Sequence, residues 1–211
     1  ISHFPRAVRW WAKLGVPAIH FEVLSAMGRA LQNDVEPPSN LTLYENVKRI
    51  VEIAEKKSIV LIHSSWMNLT NPLDYFCTSC KGIQFILLPS GKISSCFMAE
   101  SEDNPVFEKF IVGKIEKDKV VFNENTKELR GITVGTMHPC KYCEIKKICS
   151  GGCLAKHLAA TGSLFTPSPD YCKMKKLLVG IGQKALNKKY KCVLGYDFIN
   201  QKRKEVNDNG K

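Results

Sequence analysis

With 211 residues, 44% of them apolar, the chain is long enough for one large or two modest domains with real cores. No apolar run comes near the roughly 18 residues a membrane-spanning helix needs, so no membrane partner is expected. The formal net charge of +11 is unevenly placed: residues 173–211 hold eleven Lys/Arg against three Asp/Glu, a local +8 that leaves +3 for the rest. A basic tail can attract nucleic acid or acidic peptides, but no interleaved aromatic platform accompanies it. A solvated helix face and a frayed terminus describe it better, and nucleic acid is not expected as a partner.

Residues 2–14 place Phe4, Val8, Trp11 and Leu14 near helical spacing, and Gly15 ends the run. Residues 16–24 read as a buried strand, followed by a loop with Gly28, Asn33 and Pro37-Pro38. The best helix in the chain spans residues 41–57, with Leu43, Val47, Ile50 and Ala54 on one stripe and charges opposite. Residues 58–63 form a second buried strand. Helix, strand, helix, strand with continuous apolar strands predicts βαβ units of a parallel sheet, an α/β class. The C-terminal ends of such strands face ligands, which singles out His20, Glu22, His63, Ser64, Ser65, Trp66 and the Gly28-Arg29 pair. Capping and packing at a strand–loop junction compete with binding at His63–Trp66, and a surface role competes at Arg29. Glu22 would be costly if buried unpaired, so it is expected to face a polar cavity or a partner.

The chemistry-bearing pattern lies downstream. Cys140-x2-Cys143-x5-Cys149-x3-Cys153 is followed by Cys172, and a glycine-anchored Cys80-x10-Gly91-x4-Cys96 lies upstream with Cys77 just before it. A CxxC pair on a turn can point two sulfurs at one metal centre while backbone N–H groups face them. Gly151 and Gly152 allow the backbone to bend closely before Cys153. Two four-cysteine clusters need eight thiols, and the spacing therefore predicts two iron–sulfur centres. Structural zinc is the main rival, and a disulfide framework or unligated thiols are weaker ones. His138 and His157 flank the cluster loops as outer neighbours or exposed residues. Cys192 lies outside the pattern and is read as a free thiol on the basic helix. No nucleophile triad, phosphate loop or H-E-x-x-H motif accompanies the cysteines.

The pattern resembles the SPASM domain, the auxiliary-cluster domain of many radical S-adenosylmethionine (SAM) enzymes. Residues Ile86–Cys96 resemble its ligand-delivering hairpin, Cys149–Cys153 its C-x-GGC, and Phe110–Ile115 its short strand. The resemblance covers about residues 77–173. It implies that Cys77, Cys80, Cys96 and Cys153 hold one [4Fe–4S] cluster, and Cys140, Cys143, Cys149 and Cys172 the other. It leaves open whether Cys77 is a ligand. The upstream α/β units resemble the closing part of a radical SAM barrel, giving the division 1–76 barrel portion, 77–173 α+β auxiliary domain with a small hairpin and helices, and 174–211 basic helix and tail.

The family's CxxxCxxC loop, which binds the SAM-cleaving cluster, is absent from the chain. The chain is therefore expected to be a C-terminal fragment that meets SAM and a third [4Fe–4S] cluster only with a missing N-terminal half or a partner chain, and to be inactive alone. In sulfatase-maturing members an Asp follows the cysteine matching Cys96 and acts as a base; here the residue is Phe97, and neither Glu100 nor Asp103 is spaced to replace it. The resemblance implies a cytoplasmic oxidoreductase or peptide or protein maturase. A cluster-bearing electron carrier and a zinc-stapled binding module are the alternatives, with zinc also able to replace iron.

Overall fold

The computed structural model describes residues 1–193 apart from Ala26, Gly28 and the Leu31 side chain, so the part of the basic helix and tail predicted over 174–211 that follows residue 193 lies outside the described residues. The chain is mixed α/β and divides into two compact units: residues 1–26, 30–72 and 173–211, and residues 27–29 with 73–172. Among the described residues no helix is long and apolar enough to cross a membrane.

The first unit begins with α1 (Phe4–Lys13), which starts on Pro5 near its N-terminus, where a missing N–H costs nothing. Val8 is buried, whereas Leu14 is 61% exposed, so the apolar stripe ends one turn earlier than its spacing predicts. Two short strands follow, β1 (Ala18–His20) and β2 (Val60–Ile62), parallel and in register Ala18↔Val60 to His20↔Ile62. Both are shorter than the apolar runs that contain them, and β1 is half open instead of buried, because a two-stranded sheet covers one face only. The short helix α2 (Arg29–Gln32) begins at Arg29. Between the strands α3 (Asn40–Lys56) starts at Ser39, whose Oγ accepts the Thr42 N–H at 3.2 Å, an ordinary N-cap. Its predicted stripe of Leu43, Val47, Ile50 and Ala54 is buried in full.

The second unit carries an antiparallel sheet in the order β3 (Ile86–Leu87), β4 (Lys92–Ser94), β5 (Ile111–Glu116), β6 (Lys119–Phe122). The predicted hairpin over 86–96 is β3–β4, and the short strand over 110–115 is β5. Helices α4 (Phe107–Phe110), α5 (Asn125–Gly131), α6 (Lys146–Cys149) and α7 (Leu154–Thr161) surround a core of Ile93, Val106, Phe110, Val112, Leu129, Ile132, Met137 and Leu154. The sheet is tied to α5 by Thr126 Oγ1, which donates to Val112 O at 2.9 Å. Helix α8 (Pro169–Asn187) has its first turn in this unit, and from Lys173 onward it belongs to the first.

Cys192 departs from its predicted place on a basic helix: α8 ends at Asn187, and the thiol lies beyond it, buried. The Glu55 carboxylate accepts the N–H groups of Lys191 (2.8 Å) and Cys192 (3.1 Å), and Cys192 O accepts the Leu61 N–H at 2.6 Å, extending the pairing of β2. Burial, with the Glu55 charge behind it, pushes the thiol up to about 12, where it is protonated and inert. Replacing Glu55 by Ala is expected to cost about 1 kcal/mol in urea unfolding and to make Cys192 alkylable by iodoacetamide in native protein.

Candidate metal centre

All eight pattern cysteines fall in the second unit, and five of them (Cys77, Cys80, Cys96, Cys140 and Cys153) belong to or pack against its core. Local backbone explains how each is presented. Cys77 precedes a 3-10 turn (Thr78–Lys81) that contains Cys80, whose N–H donates to Cys77 O at 3.0 Å, which brings the two sulfurs to 3.7 Å. Cys140 and Cys143 repeat the device around a second 3-10 turn (Cys140–Tyr142), with Cys143 N–H on Cys140 O at 2.9 Å. Cys96 leaves β4 through a turn closed by Ser94 Oγ, which donates to Cys96 O at 3.0 Å. Cys149 ends α6, Cys153 caps α7, and Cys172 lies in the first turn of α8.

Between Cys149 and Cys153 three consecutive residues have left-handed backbone: Ser150 (φ 54°), Gly151 (φ 80°) and Gly152 (φ 75°). Side chains at the two glycines would collide, since a Cβ on Gly151 would stand 2.7 Å from Met137 Sδ and one on Gly152 2.7 Å from the Tyr171 ring. His157, fully buried, fixes the turn. Its Nδ1 accepts the Ser168 N–H at 3.0 Å, so its Nε2 is the donor and reaches Gly151 O at 2.7 Å. Ser150 Oγ donates to Leu73 O at 2.9 Å. His157 is thus a buried support of the turn, whereas His138 is exposed.

Electrostatics sorts the thiols. A hydrogen bond from the Cys80 thiol, helped against burial by the N–H groups of Cys80 and Ser79 and the Ser79 side chain, brings Cys77 down to about 6. Cys80 is held far above its ordinary value by the same shared proton, by burial and by the charges of Cys77 and Cys153. Burial, then the charges of Cys153 and Cys77, push Cys96 up to about 11. Cys153 is raised by burial and by Cys77, against the backbone N–H and ammonium of Lys156. Cys140 feels a different company: burial, then Cys172, Cys149 and Cys143, push it up to about 12. Cys149 and Cys153, one turn apart in sequence, couple to opposite sets. Among the described residues no group of three or more His, Cys, Asp or Glu is gathered tightly enough to hold one metal ion.

The upstream candidates form a separate polar group in the first unit. Both Glu22 oxygens are engaged by Ser64, Oε1 by its N–H at 2.8 Å and Oε2 by its hydroxyl at 2.9 Å, and Lys175 Nζ donates to Ser64 Oγ at 3.2 Å. Ser65 N–H donates to His63 Nδ1 at 2.9 Å, leaving Nε2 facing Glu22 Oε2 at 3.5 Å. Trp66 is a packing residue whose Nε1 donates to Leu178 O at 2.7 Å. Sequence reasoning missed Lys175, which was counted with the solvated basic face but is 1% exposed. Its spacing with Leu178, Val179 and Gly182, all on one side of α8, was the available signal.

Compared with protein-family models, curated proteins and solved structures, the chain matches none.

Two outcomes are expected. Gly152→Ala should lower stability by about 1–3 kcal/mol through forced left-handed backbone and the Tyr171 clash, read by thermal unfolding. Partial burial alone would raise the Glu22 carboxyl, but His63, the Ser64 N–H and hydroxyl, and Lys175 hold it below its ordinary 4.5. The resulting stabilisation is complete above pH 4.5 and is lost as pH falls through the lower folded value. Glu22→Gln should therefore flatten that acid limb of the unfolding free energy and leave the slope at higher pH unchanged.

Proposed function

We propose that the chain is the C-terminal part of a radical SAM/SPASM oxidoreductase or maturase acting on a peptide or protein. Cys77, Cys80, Cys96 and Cys153 would hold one [4Fe–4S] cluster, and Cys140, Cys143, Cys149 and Cys172 a second. The observation that supports the reading is that all eight pattern cysteines lie in one compact unit, with the Cys77 and Cys80 sulfurs 3.7 Å apart and a left-handed turn at Ser150–Gly152 between Cys149 and Cys153. The residues fit the group by donor chemistry, since each set offers four soft thiolate ligands. A mononuclear zinc site would need sulfurs about 3.8 Å apart, from Zn–S bonds near 2.3 Å in a tetrahedron. Cys77 and Cys80 meet that spacing, and no third ligand is gathered with them among the described residues, so the metal content separates the zinc-stapled reading from the cluster reading.

When bound, closed four-thiolate clusters supply single-electron transfer at potentials tuned by hydrogen bonds and exposure. The chain's own residues supply that tuning. The N–H groups of Ser79 and Cys80 face the Cys77 sulfur and favour its thiolate form. Lys156 beside Cys153 offsets the charge that gathering four thiolates creates. Substrate contact, SAM binding and radical generation belong to the barrel in this reading, with a third cluster held by a segment not contained in the chain, and the compartment is the cytoplasm.

The test is anaerobic reconstitution of the full chain with iron and sulfide. Near eight irons and eight sulfides per chain are expected, with Cys153→Ala and Cys172→Ala each removing about half. One or two zincs with no sulfide would overturn the reading in favour of a zinc module. Absence of a CxxxCxxC segment from both the upstream reading frame and any stable partner would leave an electron carrier.

A further inference from the structure

The open side of the β1–β2 pair carries a polar arrangement that cluster binding does not use. Alternation along the strands puts Ile19 and Leu61 on the buried side, and Phe21 and His63 continue it with their rings 4.8 Å apart. His20, Glu22, Ile62 and Ser64 take the other side, at and just past the C-terminal ends of parallel strands, where α/β folds bind ligands. His20 is 63% exposed, and its Nε2 stands 3.4 Å from Glu22 Oε1. Behind the carboxylate lie three buried or half-buried groups: Ser64, donating to both oxygens, His63, and the Lys175 ammonium one hydroxyl away.

An ionised carboxylate can only accept hydrogen bonds. The imidazole nitrogen facing it must therefore be the N–H, and the lone pair of His20 is left on Nδ1. The pair leaves Glu22 39% exposed, with an imidazole on the exposed side. The arrangement repeats the logic of a carboxylate that orients a histidine and stabilises its protonated form.

We propose that His20 is an acid–base residue that takes a proton from a ligand bound on this open face, with Glu22 as its positioning residue and Ser64 and Lys175 anchoring Glu22. Resting on the functional reading above, the ligand class is a peptide presenting an N–H, an O–H, or a C–H acidified by its neighbours. In the step the X–H bond breaks, the proton passes to Nδ1, the bonding electron pair stays on X, and Glu22 balances the imidazolium that forms. The charged or titratable groups facing this pair are Glu22 itself, His63 and Lys175.

The full chain tests this without any cluster. Nitrogen-15 imidazole spectra at neutral pH should show His20 as the Nε2–H tautomer, and Glu22→Gln should convert it to a tautomer mixture while Glu22→Asp restores it. Diethyl pyrocarbonate mapped by mass spectrometry should acylate His20 faster than the exposed His3, and E22Q should abolish the difference. A tautomer mixture at His20 in the unaltered chain, or acylation indifferent to Glu22, overturns the proposal. In the protein joined to its upstream half, His20→Gln should lower product formation about 100-fold or more. The same variant should keep SAM cleavage and iron content. Full product formation by H20Q also overturns it. A protein with no iron and no SAM cleavage would refute the enzyme reading, while the tautomer and acylation results would still decide the role of His20.

Discussion

The second unit depends on one backbone event, the three left-handed residues Ser150–Gly152. Three residues separate Cys149 and Cys153, an i, i+4 spacing that a continuing helix would place on one face. Reversing the sign of φ three times turns the chain out of that helix, and the two sulfurs join different sets. Left-handed backbone strains a residue with a side chain, and two of the three positions are glycine, where the cost is least. The third, Ser150, is held by its own hydroxyl on Leu73 O and Lys147 O. His157 grips Gly151 O from the far side, and Met137 and Tyr171 fill the space that side chains at the glycines would need. The turn is thus over-determined, as backbone in a sparsely populated conformation must be.

How far the sequence disclosed this varies with the physics of each part. The α3 stripe was legible because an amphipathic helix writes its buried face at a fixed period, and Leu43, Val47, Ile50 and Ala54 all lie where the period puts them. The hairpin over 86–96 was read from the likeness of Ile86–Cys96 to a family hairpin, and β3 and β4 pair there. The strands were legible in kind but not in length: apolar runs of six and nine residues yield three paired residues each, because pairing needs a neighbour, and hydrophobicity does not supply one. Leu14 was misleading for a related reason, since a helix at the edge of a small unit has little to bury against. Cysteine spacing indicated which residues matter, while the sorting of Cys153 away from Cys149 depends on three-dimensional closure that no spacing encodes.

Buried polar residues were the least legible. Lys175 sits among eleven basic residues of the C-terminal stretch, and composition alone assigns it to solvent. Its burial is tolerable because Glu22 balances the ammonium through Ser64, a partner more than a hundred residues away. His157 was equally hidden, as nothing in the sequence says that an imidazole will be needed to hold a glycine carbonyl. In both cases the polar group is buried because it fixes another residue in place, and that partner is visible only after folding.

The thiol chemistry and the turn impose one constraint on each other. Burial first, and the neighbouring sulfurs after it, push Cys96 to about 11 and Cys140 to about 12. Sulfurs that raise one another's cost of ionisation do not hold one another in place, so the scaffold has to do so. In the Cys77 set the shared proton with Cys80 and the N–H groups of Ser79 and Cys80 do so, and Lys156 adds a positive charge at Cys153. Around Cys153 the scaffold is the turn itself, whose rigidity comes from glycine backbone and neutral hydrogen bonds and is therefore unaffected by the charge state of the sulfurs. The support of the turn is therefore separate from the thiols it presents, and it holds Cys153 in place whatever their protonation.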